Sequence, residues 1–360
     1  MTKIIFFTSY PSESNMQDGF FVRVKNIDDI FVNEDRIYLS VLWRHNFKFS
    51  LNKTSDKLTV VNANIFLHYF KIRKLLKASD TYYVQSLYNF LWTMFFPIKK
   101  NKKIVWDTHG AVPEELSFYN KHIMSRWFGW AERKLALRSD LVLSVTKSML
   151  NYLSGKYPKI TKNSIVYPII NKQLLADAVA EQVDILRKEL DIKANETVFI
   201  YSGSLVKWQR FDDILKIIKS LENPNYRFIV LTGQLEEAKQ KIADHSLTEK
   251  IILRTAKLDE LPNYYSLAHA GFILRDNHIL NNVAAPTKLL EYMYYGVIPI
   301  VDYEKIGDFF DLGYEYVSYN AVANDMQPIK SKKNSEIITA MLANKQQKQF
   351  HSLVLQKKQK

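Results

Sequence analysis

Residues 281–296 read NNVAAPTKLLEYMYYG, and this stretch decides how the second half of the chain folds. Pro286 is typical of the first turn of a helix, and Gly296 is typical of the residue just past its end. The stretch follows Gly271–Leu274, an apolar run with the composition of a buried strand. A strand that leads into a helix is the repeating unit of an α/β sheet, so we predict that architecture here.

Short apolar runs alternate with amphipathic runs along most of the chain, which favours an α/β fold throughout. Helical spacing of apolar residues predicts helices over Phe20–Phe31, Ser125–Arg138, Asp212–Ser220 and Ser335–Ala343. The apolar runs predict six strands in the first half and five in the second: Lys3–Thr8, Arg36–Leu42, Thr81–Gln85, Lys103–Trp106, Leu141–Val145, Ser164–Tyr167, Thr197–Ser202, Tyr226–Thr232, Lys250–Leu253, Gly271–Leu274 and Val297–Val301.

The alternation stops and restarts around Tyr157–Asn171, which contains lysines and a proline and which we interpret as a connection. We therefore predict two doubly wound, Rossmann-like domains, residues 1–168 and 169–325, that face each other across a cleft. Residues 326–360 predict one helix and a basic tail. Ligands of such sheets bind beyond the carboxyl ends of the strands, so residues just after strands are the candidates for function.

The composition excludes several classes of protein. The 360 residues include no cysteine, which removes disulfides, thiolate nucleophiles and cysteine zinc sites, and fits a reducing compartment. The chain has only 10 glycines and neither a G-x-G-x-x-G nor a G-x-x-x-x-G-K-[ST] motif, so we expect neither a classical dinucleotide fold nor a P-loop. The eight histidines show no H-E-x-x-H pattern, and no metal site is expected.

The formal charge of +13 is distributed unevenly. Residues 1–180 hold 26 Lys/Arg and 14 Asp/Glu, whereas residues 181–329 have a net charge of −6 and residues 330–360 a net charge of +7. This asymmetry indicates different partners for the two halves. The first residues do not resemble a signal peptide, and the longest apolar run, Phe90–Ile98, is interrupted by Thr93 and Pro97. We expect neither a signal peptide nor a membrane span.

A first polar cluster lies in Asn281–Gly296, where the predicted helix begins. A helix N-terminus is an anion site because its amides are free and its dipole end is positive. Thr287, Lys288 and Glu291 share one helix face, where the lysine suits a phosphate and the carboxylate suits ribose hydroxyls. The alternative is a capped surface helix that carries a Lys–Glu pair.

A second cluster, Tyr201–Phe211, follows the first strand of the second domain. Gly203 lets the backbone turn close to a ligand, and Lys207 and Arg210 are long enough to reach a diphosphate. The alternative is an ordinary loop, because one glycine and two cations are common in loops without ligands.

Two clusters follow strands of the first domain. In Trp106–Glu115, His109 suits a hydrogen bond to a sugar hydroxyl or to a developing charge; the alternative is a structural histidine bonded to loop backbone. In Ser9–Arg23, Gly19 precedes the first helix and can bring backbone near a ligand; the alternative is an ordinary loop between strand and helix.

These four clusters, in this order, resemble a bacterial glycosyltransferase of the B fold (GT-B), in the family 4-like group of surface polysaccharide synthesis. The resemblance covers roughly residues 1–325. Its most specific part is ILRDNHILNNVAAPTKLLEYMYYGVIPIV, residues 273–301, which is similar to the family's Asn-x-Val-Ala-Ser-Pro-x-Lys, Glu-Tyr and Gly-x-Pro-Val-Ile block. WDTHGAVPEE, AERKLALRSDLVLSVTKSM and YSGSLVKWQRFDDIL resemble three other segments of the family.

The resemblance implies that the second domain binds a nucleotide sugar and that the first binds the acceptor. The resemblance implies that Glu291 holds the donor ribose, that Gly203, Ser204, Lys207, Thr287 and Lys288 lie at the diphosphate, and that His109 lies near the transferred sugar. We expect His109 and Lys207 to act in catalysis, Arg275 to join the donor-binding residues, and Asp18, Gly19 and Arg23 to bind the acceptor. Two positions depart from the family pattern, since Val283 replaces a Glu that contacts the donor sugar and Ser204 replaces an Arg. We expect Arg275 and Lys207 to supply the missing contacts.

The implied activity is sugar transfer to a lipid-linked glycan in capsule, O-antigen or exopolysaccharide synthesis. The resemblance implies retention at the sugar carbon, no metal or other cofactor, and a UDP-sugar donor rather than a GDP-sugar. The basic aromatic segments Asn64–Lys77 and Trp92–Lys103 suit an anionic membrane surface, although a packed helix with solvated lysines is the alternative. We expect a cytoplasmic protein that is peripheral on the inner face of the cell membrane.

Two other functions stay open at this point. A sugar-nucleotide epimerase of the same fold shares the donor domain but needs no membrane-seeking acceptor domain. The positive charge also permits a nucleic-acid-binding protein. No RNP or helix-turn-helix pattern is present in the sequence, so we expect no nucleic-acid partner.

Overall fold

The computed structural model describes residues 2–12, 15, 18–168, 175–323, 325–343, 346–356 and 358. The chain divides into two compact units. The first unit comprises Met1–Ile169 and Lys345–Lys360, and the second comprises Ile170–Asn344. The expected junction at 168/169 borders residues 169–174, which lie outside the described residues together with the end of the predicted connection.

The first unit is built on an eight-stranded sheet. Its strands are β1 (Lys3–Phe7), β2 (Asp35–Leu42), β3 (Ser50–Ser55), β4 (Leu58–Asn64), β5 (Thr81–Gln85), β6 (Lys103–Thr108), β7 (Leu141–Ser144) and β8 (Ser164–Val166). The order in the sheet is β3-β4-β2-β1-β5-β6-β7-β8, and every neighbouring pair is parallel except the antiparallel hairpin of β3 and β4. The helices are α1 (Gly19–Ile30), α2 (Tyr69–Ala78), α3 (Val112–Phe118), α4 (His122–Arg138) and α5 (Lys147–Lys156).

The second unit is built on a six-stranded sheet. Its strands are β9 (Thr197–Ser202), β10 (Tyr226–Leu231), β11 (Ile251–Arg254), β12 (Ala270–Phe272), β13 (Ile298–Val301) and β14 (Val317–Ser318), in the all-parallel order β11-β10-β9-β12-β13-β14. The helices are α6 (Ala180–Glu189), α7 (Phe211–Ser220), α8 (Leu235–Asp244), α9 (Leu261–Leu267), α10 (Ile279–Asn282), α11 (Thr287–Tyr294) and α12 (Lys332–Leu342).

Both predicted doubly wound sheets are confirmed. All eleven predicted strands are present, and their ends differ from the prediction by at most two residues. The prediction missed β3, β4 and β14. Strand β3 is a mostly exposed, polar edge strand and β14 has two residues, so neither carries the continuous apolar run of a strand buried on both faces.

The strand order fixes where ligands of each sheet bind. In the second unit, β9 and β12 are neighbours, although the chain runs from β9 to β10 on the other side. Ligands of open α/β sheets bind at the carboxyl ends of such a pair, where the order reverses. In the first unit, β1 and β5 form the equivalent pair.

The C-terminal segment is divided between the two units, whereas the sequence predicts residues 326–360 as one separate piece. Helix α12 belongs to the second unit, and a last helix, α13 (Gln346–Leu355), belongs to the first. The buried ring of Phe350 packs against Phe31 and Tyr167, with centroids 5.5 Å apart in both pairs. Among all the helices described here, none is long and apolar enough to cross a bilayer.

Candidate active site

Close packing against the sheet fixes helix α11. A Cβ atom on Gly271 of β12 would come within 2.5 Å of the Tyr292 ring, so only glycine permits this approach. The Tyr292 hydroxyl then accepts a hydrogen bond from the Ser202 amide at 3.0 Å. This contact holds α11 beside the carboxyl end of β9, where its first turn, Thr287 and Lys288, presents amides that have no partner within the helix.

Lys288 and Glu291, three residues apart on α11, form an ion pair with Nζ 3.0 Å from Oε2. The hydroxyl of Tyr265, on α9, donates to the same Oε2 at 2.8 Å and accepts from Lys288 Nζ at 3.1 Å. Glu291 is only 3% exposed. A capped surface helix would leave such a pair in water, whereas this carboxylate is held inside the fold by two donors.

The loop after β9 lies beside this network. The buried Tyr201 hydroxyl donates to the Ser204 carbonyl at 2.5 Å, and a Cβ on Gly203 would lie 3.3 Å from that hydroxyl. Burial raises the pKa of Tyr201, and the positive charges of Arg275 and Lys288 oppose that rise. Lys207 follows, exposed, at the start of a short 3₁₀ turn.

Arg275 follows β12, and no carboxylate among the described residues forms an ion pair with its guanidinium. Its Nη1 donates to Asn281 Oδ1 at 3.3 Å, and its Nε is buried without a hydrogen-bond partner in the described part of the chain. Burial lowers the pKa of this guanidinium to about 10, because the charged form is poorly solvated. A bound anion would restore the lost solvation, as expected for a phosphate contact.

The structure corrects the expectation for Arg210. Its Nε lies 2.8 Å from Asp213, its Nη1 lies 3.3 Å from Asp276, and the same Nη1 also contacts Asp302. Although burial opposes the charge, Asp302 and Asp213 raise the pKa of Arg210 above its usual value. A guanidinium shared by three carboxylates is already neutralised, so Arg210 stabilises the loop and is not a free cation for a diphosphate.

In the first unit, Arg23 of α1 binds Asp107 at the end of β6. Arg23 Nη2 and Nε lie 2.7 Å and 2.9 Å from Oδ1, and Nη1 donates to the Tyr167 carbonyl at 2.8 Å. Tyr83 donates its hydroxyl to Asp107 Oδ2 at 2.9 Å. Burial alone would raise the pKa of Asp107, but Arg23 and then His109 hold it well below its usual range.

This ion pair changes the role of Arg23. Its side chain is 1% exposed and its donors are used inside the fold, so it is placed to hold Asp107 and not to contact an acceptor directly. Asp18, another predicted acceptor residue, accepts from the Phe20 amide at 2.8 Å and caps the start of α1. Gly19 is the first residue of α1 and is partly exposed.

His109 lies at the centre of the first-unit cluster. Its ring packs against Phe20, with centroids 4.9 Å apart, and its Nε2 lies 3.6 Å from Asp107 Oδ2. The structure therefore brings the two sequence clusters of this unit together. The side chain is 10% exposed, and its Nε2 is buried without a hydrogen-bond partner among the described residues.

Sequence reasoning missed Tyr265, which belongs to no recognisable local pattern although its hydroxyl joins Lys288 and Glu291. Tyr201 and Ser202 lie in the second sequence cluster, but the sequence assigned neither of them a role. Their sequence signal is their position at the end of a strand. Within the described residues, no group of three or more His, Asp or Glu side chains is arranged to hold a metal ion.

Two family models match the chain, one in each half. Residues 182–306 match the model of glycosyl transferases group 1, and residues 57–174 match that of glycosyltransferase family 4. No curated protein matches the chain by sequence at a significant level.

Solved structures of glycosyltransferases share the fold over nearly the whole chain. The chain is similar to sucrose-phosphate synthase from Thermosynechococcus elongatus, with TM-score 0.69, 12% identity and 95% of each chain covered. It is also similar to Anabaena Alr3699/HepE in complex with UDP-glucose (TM-score 0.61, 14% identity, 99% of this chain and 93% of that one). A third is WaaG, a glycosyltransferase involved in lipopolysaccharide biosynthesis (TM-score 0.59, 11% identity, 98% and 93%).

Proposed function

We propose that this chain, which is a glycosyltransferase of the GT-B fold, moves a sugar from a UDP-sugar to a lipid-linked glycan at an anionic membrane surface. The donor side rests on the buried Lys288–Glu291 pair of α11 and on Arg275, which follows β12 and whose Nε is buried without a hydrogen-bond partner in the described part of the chain. Surface polysaccharide synthesis, such as capsule, O-antigen or exopolysaccharide, is the process that uses such an acceptor.

The donor residues have separate roles in this proposal. Glu291 accepts hydrogen bonds from the ribose hydroxyls, while Arg275, Lys288 and Lys207 face the diphosphate. When the bond between the sugar carbon and the diphosphate breaks, negative charge grows on the leaving group. Fixed cations and helix amides stabilise that charge in the transition state, with retention at the sugar carbon and without a metal ion. His109 donates a hydrogen bond to the transferred sugar.

One face of the first unit supports the membrane part of the proposal. Exposed aromatic and aliphatic side chains come from residues 66–70 around the start of α2, from the segment after β5 and from α4, and we call this set the aromatic–basic face. Phe70 is 79% exposed and Trp127 is 64% exposed. The apolar members are Phe66, Leu67, Phe70, Tyr88, Phe95, Ile123, Met124, Trp127 and Trp130.

Ring contacts join these three elements side by side. Tyr69 of α2 stacks on Phe96 with centroids 4.8 Å apart, and Tyr88 contacts Phe128 of α4 at 5.0 Å. The same three elements also carry exposed cations: Lys71, Arg73, Lys74, Lys77, Lys99, Lys100, Arg126, Arg133, Lys134 and Arg138. Aromatic side chains among cations suit the headgroup region of an anionic bilayer, so we place the protein peripherally on the cytoplasmic leaflet.

A nucleotide panel tests the donor side. A ligand that binds the folded state raises the melting temperature by mass action. We expect UDP and a UDP-sugar to raise it more than GDP, ADP or CMP, and Glu291→Gln to reduce that increase. Equal melting temperatures with every nucleotide would contradict the donor site. A change of the sugar isomer without acceptor would instead favour the epimerase.

Vesicle flotation tests the membrane side. We expect the wild-type protein to float with vesicles of phosphatidylcholine and anionic phosphatidylglycerol at low salt, and a Trp127→Ser/Trp130→Ser variant to stay in solution. Ile185→Ser, a change at a similarly exposed apolar residue of α6, is the matched control and should float normally. Wild-type protein that does not float at low salt would refute membrane binding.

A further inference from the structure

A single buried hydroxyl joins the two charged groups of the donor-side cluster. The Tyr265 hydroxyl lies 2.8 Å from Glu291 Oε2 and 3.1 Å from Lys288 Nζ, and those two charged atoms are 3.0 Å apart. The Ser202 hydroxyl, at the end of β9, lies 3.1 Å from the same Tyr265 oxygen. Three elements of the second unit, β9, α9 and α11, therefore meet at this oxygen.

The Tyr265 side chain is fully buried, and its hydroxyl keeps its proton. Burial, and then the adjacent Glu291 carboxylate, raise the pKa of Tyr265 well above its usual value. The hydroxyl therefore remains a donor to Glu291 at all ordinary pH values. Both contacts to Glu291 go to Oε2, and no described residue donates to Oε1. One carboxylate oxygen is thus occupied by the protein, and the other is left to accept from a ligand.

We propose that Tyr265 is a positioning residue for donor binding: its hydroxyl holds the Glu291 carboxylate and the Lys288 ammonium in the arrangement that fits ribose and diphosphate. This inference rests on the proposed function, since it assigns those two ligand groups to Glu291 and Lys288. Tyr265 itself contacts neither group. It acts through Glu291, because a carboxylate fixed on one oxygen cannot rotate away from the ligand.

The loss of the Tyr265 hydroxyl would disturb both residues because the Lys288 ammonium and the Glu291 carboxylate are so close together. Without the hydroxyl, Lys288 and Glu291 keep only their mutual contact and the carboxylate loses its buried donor. A buried carboxylate that loses a hydrogen-bond donor is destabilised until another donor replaces it, and Lys288 is the nearest available donor. We expect the ion pair to tighten and rotate, which withdraws both groups from the nucleotide at once.

A double-mutant cycle in the full-length protein tests this inference. UDP and GDP are each titrated calorimetrically into wild type, Tyr265→Phe, Glu291→Gln and the double variant. We expect Tyr265→Phe to weaken binding of the preferred nucleotide about tenfold, as for the loss of an outer partner of a ligand-binding group. In the Glu291→Gln background, the same change should have less than about a twofold effect, because coupled residues are not additive.

Two further variants separate positioning from folding. Tyr264→Phe removes the hydroxyl of the neighbouring buried tyrosine, which is not part of this cluster, and should leave nucleotide affinity unchanged. Ser202→Ala removes the other hydroxyl beside Tyr265 and should weaken binding about threefold, again only when Glu291 is intact. It also provides the test if Tyr265→Phe does not fold.

The outcomes distinguish this inference from the proposed function. If Glu291→Gln weakens binding but Tyr265→Phe does not, or if the two effects simply multiply, the positioning role is refuted and the donor site stands. If Glu291→Gln also leaves both nucleotides bound as in wild type, the donor site itself is misplaced and the inference fails with it. A loss of binding matched equally by Tyr264→Phe would show a general packing defect and overturn the specific role.

Discussion

The guanidinium of Arg23 forms a bidentate ion pair with the carboxylate of Asp107, with Nη2 2.7 Å from Oδ1 and Nε 3.1 Å from Oδ2. Both side chains are completely enclosed by the first unit. Removal of one partner from such a pair leaves an uncompensated buried charge, which typically costs about 3–5 kcal/mol. The pair thus holds α1 against β6 and fixes the carboxylate beside His109.

Arg23→Met should therefore destabilise the first unit by about 3–5 kcal/mol, measured by urea unfolding. Arg73→Met, at an exposed arginine of α2, is the matched control and should change stability by less than about 0.5 kcal/mol. A loss below about 1 kcal/mol for Arg23→Met would show that the pair contributes little to the fold.

His109→Ala should lower the transfer rate about 10²-fold, because the ring is a positioned donor. The melting temperature should fall as well, because the ring is only 10% exposed and packs against Phe20. Initial rates at saturating donor and acceptor measure this effect. His122→Ala, at an exposed histidine that begins α4, is the control. Near-normal rates for His109→Ala would contradict a catalytic role and would show that His109 serves only to pack against Phe20.

Lys207→Ala and Lys288→Ala should each lower the transfer rate by about 10²-fold or more, the size of effect seen when one preorganised donor to a developing charge is removed. Lys216→Ala, which changes an exposed lysine of α7 paired with Asp213, should leave the rate unchanged. Normal activity in both of the first two variants would mean that the diphosphate binds elsewhere.

The stability of the second unit should fall as the pH drops from about 6.5 to 4. Burial, and then the cations Lys330 and Arg187, lower the pKa of His269 to about 4. Its Nδ1 accepts a hydrogen bond from the Val198 amide at 3.0 Å, which also requires the neutral ring. In this pH range the unfolded chain binds a proton that the folded chain does not, so acid favours unfolding.

His269→Asn provides the comparison for this pH dependence. The amide oxygen of asparagine can accept from Val198 but does not titrate, so the loss of stability between pH 6.5 and 4 should become smaller. Urea midpoints of both proteins across this range measure the difference. Identical pH profiles would exclude His269 as the group responsible.

Phe350→Ala should destabilise the first unit by about 3–5 kcal/mol, although the residue follows the whole of the second unit in sequence. The ring is fully buried between Phe31, Tyr83 and Tyr167, and its removal leaves a cavity. Ser352→Ala, on the exposed side of α13, is the control for thermal and urea unfolding. An effect no larger than that of the control would mean that α13 adds nothing to the first unit.

The sequence by itself determined the eleven strands that carry continuous apolar runs and the local geometry of helix α11. Strands buried on both faces need continuous apolar runs, which are visible in any single sequence. The pairing of Lys288 with Glu291 also follows from sequence, because residues three apart on a helix are neighbours whatever surrounds them. The placement of candidate residues after strands was likewise readable, since parallel strands end at one edge of a sheet.

Only the tertiary structure decided which of the predicted charges are free. Arg210 is neutralised by Asp302, 92 residues later, and Arg23 by Asp107, 84 residues later. Tyr265 reaches Glu291 across 26 residues because α9 and α11 pack on the same sheet. Contacts at these separations depend on strand order and on how helices cross the sheet, and hydrophobic periodicity specifies neither. A lone sequence therefore locates the candidate site, while the packed fold decides which of its charged residues are already paired.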